Sequence, residues 1–155
     1  MQKIRGFEFV EHKKVNTEDN EFVRLPLRGS KNSAGYDFFA PVDLVIPPQK
    51  TVKFYTDVKA YMQEDEVLLI DVRSSIGIKK GLMIANTIGV IDSDYYNNES
   101  NEGNIIICLR NLNPEFEFYG YDVDTGLPKI KDLREENTIV IKAGERVAQG
   151  IFVKY

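Results

Sequence analysis

The sequence predicts an all-β protein, a sandwich or jelly roll, and two observations support this. Short runs rich in β-branched and aromatic residues recur along the chain, at residues 7–10, 43–46, 52–55, 67–70, 105–109 and 138–141. Turn residues such as Pro47-Pro48 and Asn113-Pro114 separate these runs, and helical periodicity is almost absent. Many short strands with frequent turns are typical of antiparallel sheets rather than of alternating α/β units.

The six runs read FEFV, DLVI, VKFY, VLLI, IIICL and TIVI in chain order, and each is predicted to be a strand. Residues 81–85 are predicted to form a helical turn instead. No internal repeat, low-complexity tract or linker interrupts the sequence. We therefore expect a single domain that comprises residues 1–155.

Composition and charge exclude several functions. The chain has 155 residues, of which 43% are hydrophobic and 28% charged, enough to bury a sizeable core. Its net charge of -4 argues against binding to duplex nucleic acid. The single Cys108 excludes an intramolecular disulfide, and the single His12 cannot build a His-rich zinc site. Without a signal-peptide pattern or a membrane-length apolar stretch, a cytoplasmic protein is expected.

The most informative segment runs from Asn86 to Tyr95 and reads NTIGVIDSDY. An apolar run that ends in Asp-x-Asp-Tyr is typical of a strand that turns into a loop, with polar side chains facing a pocket. Asp92 in such a loop can serve as a general base, and the Tyr95 ring can cover a flat or sugar-like ligand. The alternative is an ordinary β-turn whose acidic side chains bond their own backbone.

Three further motifs accompany this segment, and they read SAGYDF from Ser33, RSSIGIKKG from Arg73 and GERVAQ from Gly144. In order and spacing, the four motifs resemble the first four motifs of the trimeric dUTPase family, of the phage and bacterial kind, over nearly the whole chain. The resemblance implies a distorted jelly roll that assembles as a homotrimer with three composite sites. It also implies hydrolysis of dUTP to dUMP and pyrophosphate.

Phosphate contacts are predicted for the Arg73-Ser74-Ser75 motif, which follows an apolar run. Arginine offers a planar fork for phosphate oxygens, while the serine hydroxyls add neutral donors. The resemblance places Ser74 near the bridging oxygen at the scissile α-phosphate and makes Gln149 a phosphate-facing amide. The family usually has proline before this arginine, where this chain has Val72. An arginine at the cap of a surface loop would give the same pattern.

Asn86 and the following Gly89-Val90-Ile91 suggest a site that reads a base through amide and backbone hydrogen bonds. Uracil would pair with such a strand, whereas cytosine would leave buried partners unpaired. The resemblance implies that this segment is a hairpin that holds uracil, that Ile106 on the partner strand completes it, and that Tyr95 packs against deoxyribose. An ordinary hairpin with asparagine in its turn is the alternative.

The resemblance makes Asp92 the general base that accepts a proton from the water attacking the α-phosphorus. Mg²⁺ is the expected cofactor, held mainly by substrate phosphates and water, because the sequence offers no compact carboxylate cage. Asp37 is expected to support the site by hydrogen bonding, or to be a buried turn carboxylate. Arg146 is expected either to support the site or to pair with a nearby carboxylate.

Two polar segments, residues 96–103 and residues 113–137, look like insertions relative to the family pattern. Residues 96–103 are expected to extend a hairpin or loop after Tyr95. Both segments are expected to be solvated surface excursions or, alternatively, partner-binding surfaces, and the longer one is alternatively a surface for a regulatory protein partner or a lid. The family's Gly-rich, Arg-containing fifth motif is not found before Tyr155. Truncation, closure by another segment, and weak or lost activity all remain open.

Two other functions stay possible from the sequence. A dCTP deaminase shares this fold and an Arg-Ser-Ser motif, but that branch uses a glutamate on the strand where this chain has Ile107-Cys108-Leu109. The second is a dUTPase-like module that binds nucleotide or a protein partner with little turnover.

Overall fold

The computed structural model describes residues 2–15 and 21–155, and the regular secondary structure in this part of the chain is almost entirely β. It contains fourteen strands, seven before the Arg73-Ser74-Ser75 motif and seven after it. The strands are β1 (Gly6–Phe9), β2 (Leu27–Arg28), β3 (Tyr36–Phe39), β4 (Leu44–Ile46), β5 (Thr51–Tyr55), β6 (Val58–Tyr61), β7 (Glu66–Val72), β8 (Leu82–Ile84), β9 (Gly89–Asp92), β10 (Ile106–Asn111), β11 (Phe116–Tyr121), β12 (Pro128–Asp132), β13 (Ile139–Ile141) and β14 (Arg146–Lys154). The predicted all-β class is confirmed.

The largest sheet has the strand order β2-β3-β14-β7-β9. A three-stranded sheet has the order β5-β10-β8, and the pairs β1-β6, β4-β13 and β11-β12 complete the described strands. All pairings are antiparallel. Strand β7 is an interior strand of the largest sheet, because it pairs with β14 on one side and with β9 on the other.

Alternation along the strands builds the core. In β7, Leu68 and Ile70 are buried, and in β10, Ile107 and Leu109 are buried, whereas the residues between them are more exposed. Side chains of a strand point alternately to opposite faces, so these residues bring the inner faces of the two larger sheets into one apolar cluster. Burying each such side chain contributes roughly 1.5–3 kcal/mol.

All six predicted runs are strands, with ends that shift by one or two residues. The helical turn predicted at residues 81–85 is wrong, because Leu82 and Ile84 are buried on strand β8, which pairs with β10. The helical turn lies earlier, as a short π-helix at Ser75–Lys79. Gly81 separates the two with a φ of 70°, a conformation that glycine adopts without strain.

The expected hairpin around Asn86 is an arch. Its first strand, β8, pairs with β10 in one sheet, while its second strand, β9, pairs with β7 in the other. The turn between them places Thr87 at a φ of 73°. The two arms therefore diverge instead of bonding to each other, which opens space between the sheets.

Residues 96–103 form a compact loop that is bonded to the rest of the protein, not a solvated excursion. The Glu102 carboxylate accepts hydrogen bonds from Lys59 Nζ at 2.8 Å and from the backbone N–H groups of Glu11 and His12 at 2.8 and 3.0 Å. Lys59 Nζ also donates to Asn97 Oδ1 at 2.6 Å. The loop is thus tied to the segment after β1 and to β6.

Residues 113–137 contain the β11-β12 hairpin instead of an irregular loop. Its register pairs Phe118 with Ile130, and the rings of Phe118 and Tyr121 meet edge to face at 5.2 Å. A two-stranded hairpin alone is marginally stable, and this one exposes most of its apolar side chains. The exposed ones are Phe116, Phe118, Tyr119, Tyr121, Val123, Leu127 and Ile130.

The bonds to Glu102 predict a pH dependence of stability. Lys59 and the N–H groups of Glu11 and His12 lower the pKa of Glu102 from 4.5 to about 2. A carboxyl with a lowered folded-state pKa stabilises the fold above its unfolded pKa, and this contribution is lost as the pH falls. As the pH falls from about 4.5 to about 2, the free energy of unfolding of Glu102→Gln should therefore decrease less than that of the wild type. Urea denaturation at each pH measures this free energy.

Glu99→Gln in the same loop is the matched control, since the Glu99 side chain is exposed. It should follow the wild-type curve. If the free energies of unfolding of the wild type and of Glu102→Gln fell in parallel as the pH is lowered, this role of the Glu102 carboxylate would be contradicted.

Candidate active site

Two pockets contain most of the predicted site residues. The first, called the apolar pocket, has a volume of about 350 Å³ and lies between the arms of the arch. Five of the residues predicted to bind base or sugar line it: Asn86, Gly89, Val90, Ile91 and Ile106. Its remaining lining residues are Ile70, Ile84, Ala85, Ile107 and Cys108.

The position of β9 explains how this pocket can read a flat polar ligand. Strand β9 is the last strand of its sheet, so in the described chain one edge of its backbone carries no ladder partner. Unpaired N–H and C=O groups along such an edge are available to a ligand. Gly89 lies opposite Ile70, where a Cβ would come within 3.2 Å of the Ile70 side chain. Glycine thus permits the close approach of β9 to β7.

The second pocket, called the arginine pocket, has a volume of about 430 Å³ and polar walls. It includes Arg73, Ser74, Gln149, Asp37 and Arg146, all of them predicted site residues. The other lining residues are Gly29, Ser33, Ala34, Gly35 and Ile151.

Asp37 joins the two arginines of this pocket. Its Oδ1 lies 3.3 Å from Arg73 Nε, and its Oδ2 accepts a hydrogen bond from Arg146 Nη1 at 2.9 Å. The Asp37 side chain is only 10% exposed, while those of Arg73 and Arg146 are 35% and 41% exposed. One carboxylate therefore orients two guanidinium groups that still face the pocket. Arg146 thus pairs with a nearby carboxylate, and its role in supporting the site stays a prediction.

The β3-β14 pairing brings Gln149 to the same place. Gln149 lies opposite Asp37 in the ladder, and its side chain passes over Gly35. A Cβ at Gly35 would lie 2.7 Å from Gln149 Oε1 and 3.2 Å from Gln149 Cβ, so glycine leaves room for the amide in this position. The first and fourth motifs thus meet through strand pairing, and the second joins them where β7 ends at Val72.

Three predicted site residues lie outside the linings of both pockets: Ser75, Asp92 and Tyr95. Ser75 starts the π-helix, and Asp92 is exposed at the end of β9. Within the described ranges, no ion pair or side-chain hydrogen bond involves Asp92. Tyr95 ends a 3₁₀ turn at Ser93–Tyr95, and its hydroxyl donates to the Asn104 carbonyl oxygen at 2.8 Å. Their roles in the reaction stay predictions.

Asp92 and the arginine motif of the same chain are far apart. Asp92 lies opposite Val67 in the β7-β9 ladder, and Arg73 follows Val67 by six residues. At roughly 3.3 Å per residue, this is about 20 Å along the strand. A general base must lie within hydrogen-bond reach of the attacking water, which is about 3 Å. Within one chain, Asp92 cannot serve a phosphate that is bound at Ser74.

Sequence reasoning missed several residues of these pockets. Ser33 and Gly35 belong to a motif that the sequence showed, but only Asp37 in it was given a role. Cys108 was considered only for disulfides and as part of the segment where the deaminase branch has a glutamate, yet it lines the apolar pocket. The asparagines that follow Tyr95 could have been noticed from the sequence, because residues 97–104 read NNESNEGN and are unusually rich in this residue type.

No metal site is built into the described part of the chain. Among residues 2–15 and 21–155, no cluster of three or more His, Cys, Asp or Glu could hold an ion. The buried carboxylate of the arginine pocket, that of Asp37, is already engaged by two arginines. A cation that arrives with a phosphate ligand fits this pocket better than one held by protein alone. In the same ranges, no helix is long and apolar enough to span a membrane.

Comparisons with known proteins agree with the geometry. The family model of dUTPase matches residues 22–114. The deoxyuridine 5'-triphosphate nucleotidohydrolase of Lactococcus lactis subsp. lactis is 39% identical, over 99% of this chain and 84% of its own length. The crystal structure of dUTPase from Streptococcus mutans is 37% identical with a TM-score of 0.71, and the match covers 97% of this chain and 95% of that one.

A mutant dUTPase from phage phi11 of S. aureus is 26% identical, with a TM-score of 0.67 over 99% of this chain and 92% of that chain. Its structure concerns the coordination of a structural Mg(II) ion in that protein. An all-β fold that carries both an apolar pocket and an arginine pocket is suited to an enzyme acting on nucleotides. The chain belongs to the dUTPase family, the enzymes that hydrolyse dUTP, and the resemblance expected from its motifs is confirmed.

The ion pairs of Asp37 with Arg73 and Arg146 predict weaker binding of the substrate phosphates when the charge of Asp37 is removed. Asp37→Asn keeps the size of the side chain but releases Arg73 and Arg146 from their common partner. We expect kcat/KM for dUTP to fall about tenfold, the effect of one charge-assisted hydrogen bond, mainly through a higher KM. Steady-state kinetics measure both parameters.

Asp65→Asn is the control, because Asp65 forms an exposed ion pair with Lys154 and lines neither pocket. Its kinetics should match the wild type. An Asp37→Asn enzyme with unchanged KM would show that the carboxylate does not orient the arginines.

Proposed function

We propose that the chain hydrolyses dUTP to dUMP and pyrophosphate at composite sites, each built from the apolar pocket of one chain and the arginine pocket of another. The distance of about 20 Å along β7 between Asp92 and the arginine motif carries this proposal. A base and a phosphate grip so far apart in one chain need a second chain to bring them together. A homotrimer with three such sites, the assembly that the motifs imply, meets this need.

The apolar pocket would bind deoxyuridine. The unpaired edge of β9 at Gly89, Val90 and Ile91 can offer backbone donors and acceptors to the uracil edge, with the Asn86 amide beside it. Cytosine presents a donor where uracil presents an acceptor, so its binding would leave a buried group unpaired, which costs roughly 1–3 kcal/mol. Ile106 would pack on the base, and the Tyr95 ring would lie against the deoxyribose.

The arginine pocket would bind the triphosphate. Arg73 and Arg146 supply the positive charge, Asp37 holds them in place, and Ser74 and Gln149 add neutral hydrogen-bond donors. Ser75 begins the neighbouring helical turn and would contribute a further hydroxyl at its rim. Mg²⁺ is proposed to bind with the phosphates, where it would neutralise charge that develops on their oxygens.

Asp92 would act as the general base. Its carboxylate is exposed at the end of β9, without an ion-pair partner in the described ranges, so it is free to orient a water molecule. In the composite site, this water would attack the α-phosphorus from the side opposite the pyrophosphate and transfer a proton to Asp92. The Ser74 hydroxyl of the other chain would lie near the bridging oxygen of the leaving group.

The remaining features of the chain support the same proposal. One apolar cluster includes residues of both larger sheets, in keeping with a single domain over residues 1–155. The free thiol of Cys108 suits a reducing compartment, and the cytoplasm, where nucleotides are made, is the proposed location. The net charge of -4 gives no reason to add a nucleic-acid partner.

The two alternative functions have weaker support. A dCTP deaminase would need its glutamate on β10, where Ile107, Cys108 and Leu109 stand. A module that binds without turnover would not need an unpaired carboxylate beside the base pocket. The β11-β12 hairpin remains a proposed surface for a regulatory protein partner, supported by its exposed apolar side chains. Residues 114–136 line neither pocket, so a role as lid has no support within one chain.

The assignment of Asp92 predicts a large, specific loss of turnover. Asp92→Asn keeps the shape of the side chain but cannot accept the proton, so kcat should fall by about 10²- to 10⁴-fold. The affinity for a non-hydrolysable imido analogue of dUTP should stay the same, because the lost interaction belongs mainly to the transition state. Pyrophosphate release and calorimetry measure the two quantities.

Asp94→Asn provides the matched control, since this exposed carboxylate lies two residues further along. It should turn over like the wild type. Normal turnover by Asp92→Asn would remove the proposed base and with it the proposed mechanism.

A further inference from the structure

The Tyr95 hydroxyl is held on two sides by the loop that follows it. It donates to the Asn104 carbonyl oxygen at 2.8 Å and accepts a hydrogen bond from Asn101 Nδ2 at 2.8 Å. The Tyr95 carbonyl oxygen in turn accepts from Asn98 Nδ2 at 2.7 Å. With its single proton already donated, the hydroxyl faces the loop. The half-buried ring packs against the apolar cluster, and its exposed part is what remains for a ligand.

The loop is rigid for reasons that its sequence supplies. Asn98 Oδ1 accepts from the backbone N–H groups of Ser100 and Asn101 at 2.9 and 3.0 Å, and Asn101 Oδ1 accepts from Gly103 at 3.1 Å. Gly103 has a φ of 88°, and a Cβ there would lie 2.7 Å from the Tyr95 carbonyl oxygen. Only glycine lets the loop close this tightly on the Tyr95 backbone.

The loop is also anchored at a distance from Tyr95. Lys59, whose side chain is 9% exposed, donates to Glu102 and Asn97, and the N–H groups of Glu11 and His12 bind the same Glu102 carboxylate. The contacts thus run from β6 and the segment after β1, through Glu102, to Asn101 and the tyrosine ring. A ring held in this way cannot turn aside at small cost.

We propose that Asn101 is a positioning residue for sugar discrimination, acting through the Tyr95 hydroxyl, in a loop that Glu102 holds in place. This inference rests on the proposed contact of the Tyr95 ring with deoxyribose. A ring excludes a 2′-hydroxyl only if it stays where the extra oxygen would lie, and a group that is loose by about 1 Å no longer does so. The selectivity for dUTP over UTP is therefore shared between the ring and the loop of residues 96–103.

A double-mutant cycle tests the proposal in the chain of residues 1–155, with kcat and KM measured for dUTP and for UTP. Asn101→Ala alone should narrow the dUTP-to-UTP ratio of kcat/KM by about threefold to tenfold, the effect of one neutral hydrogen bond. Tyr95→Phe should narrow it at least as much, because it removes both bonds of the hydroxyl. In the Tyr95→Phe background, Asn101→Ala should cause no further change in the ratio.

Tyr95→Phe tests the same hydrogen bond by removing the tyrosine hydroxyl instead of the Asn101 amide. It leaves the hydrogen bonds within the loop intact, so it keeps the test valid if Asn101→Ala fails to fold. Glu99→Ala is the matched control in the loop, with an exposed side chain, and should keep the wild-type ratio. Thermal melting establishes that each variant is folded. Independent, additive effects of the two substitutions on the ratio would overturn the proposal, and so would an unchanged ratio in folded Asn101→Ala.

Tyr95→Ala separates this inference from the proposed function on which it rests. If Tyr95→Ala narrows the ratio and Asn101→Ala does not, the ring reads the sugar and only the role of Asn101 is wrong. If Tyr95→Ala leaves the ratio unchanged, the sugar contact itself is wrong and the inference falls with it. Neither result bears on Asp92, whose role is tested by turnover.

Discussion

The pairing of β7 with its two neighbours is the constraint on which the site depends. Strand β7 leads directly to Arg73 at one end and pairs with β9 along its length, so the extended backbone itself separates the proposed phosphate site at Arg73 from Asp92, the proposed base. An extended strand cannot be shortened without breaking its ladder, and this ladder contributes two strands to the apolar core. The fold therefore keeps the two halves of the chemistry apart within each chain.

In the proposed function, the two pockets divide the recognition of the nucleotide by chemistry. The apolar pocket uses a backbone edge and aliphatic walls, which suit a flat base, while the arginine pocket concentrates charge at one buried carboxylate, Asp37. Orienting guanidinium groups before the ligand arrives lowers the entropy lost on binding. The same principle of advance positioning applies to Tyr95, whose hydroxyl is already satisfied by the loop.

Much of this could be read from the sequence, because strands and motifs are local. The six apolar runs are strands, and the Asp37, Arg73 and Gln149 motifs line one pocket. What failed depends on which segments pair. Whether residues 86–91 form a hairpin or an arch is decided by which sheet β9 joins, and the charged composition of residues 113–137 hid the alternation of the β11-β12 hairpin. The ion pairs of Asp37 with Arg73 and Arg146 likewise could not be predicted, because they form only where β3, β7 and β14 come together.

Subunit complementation tests the composite site most directly. Asp92→Asn chains and Arg73→Ala chains, each inactive alone, are refolded together in equal amounts and assayed on dUTP. If each site joins two chains, about a quarter of all sites in randomly assembled trimers, homotrimers included, contain both intact halves, and activity returns to that extent. Mixing Arg73→Ala with Ser74→Ala, which damage the same pocket, should restore none. No recovery in the first mixture, despite mixed assembly, would contradict the account.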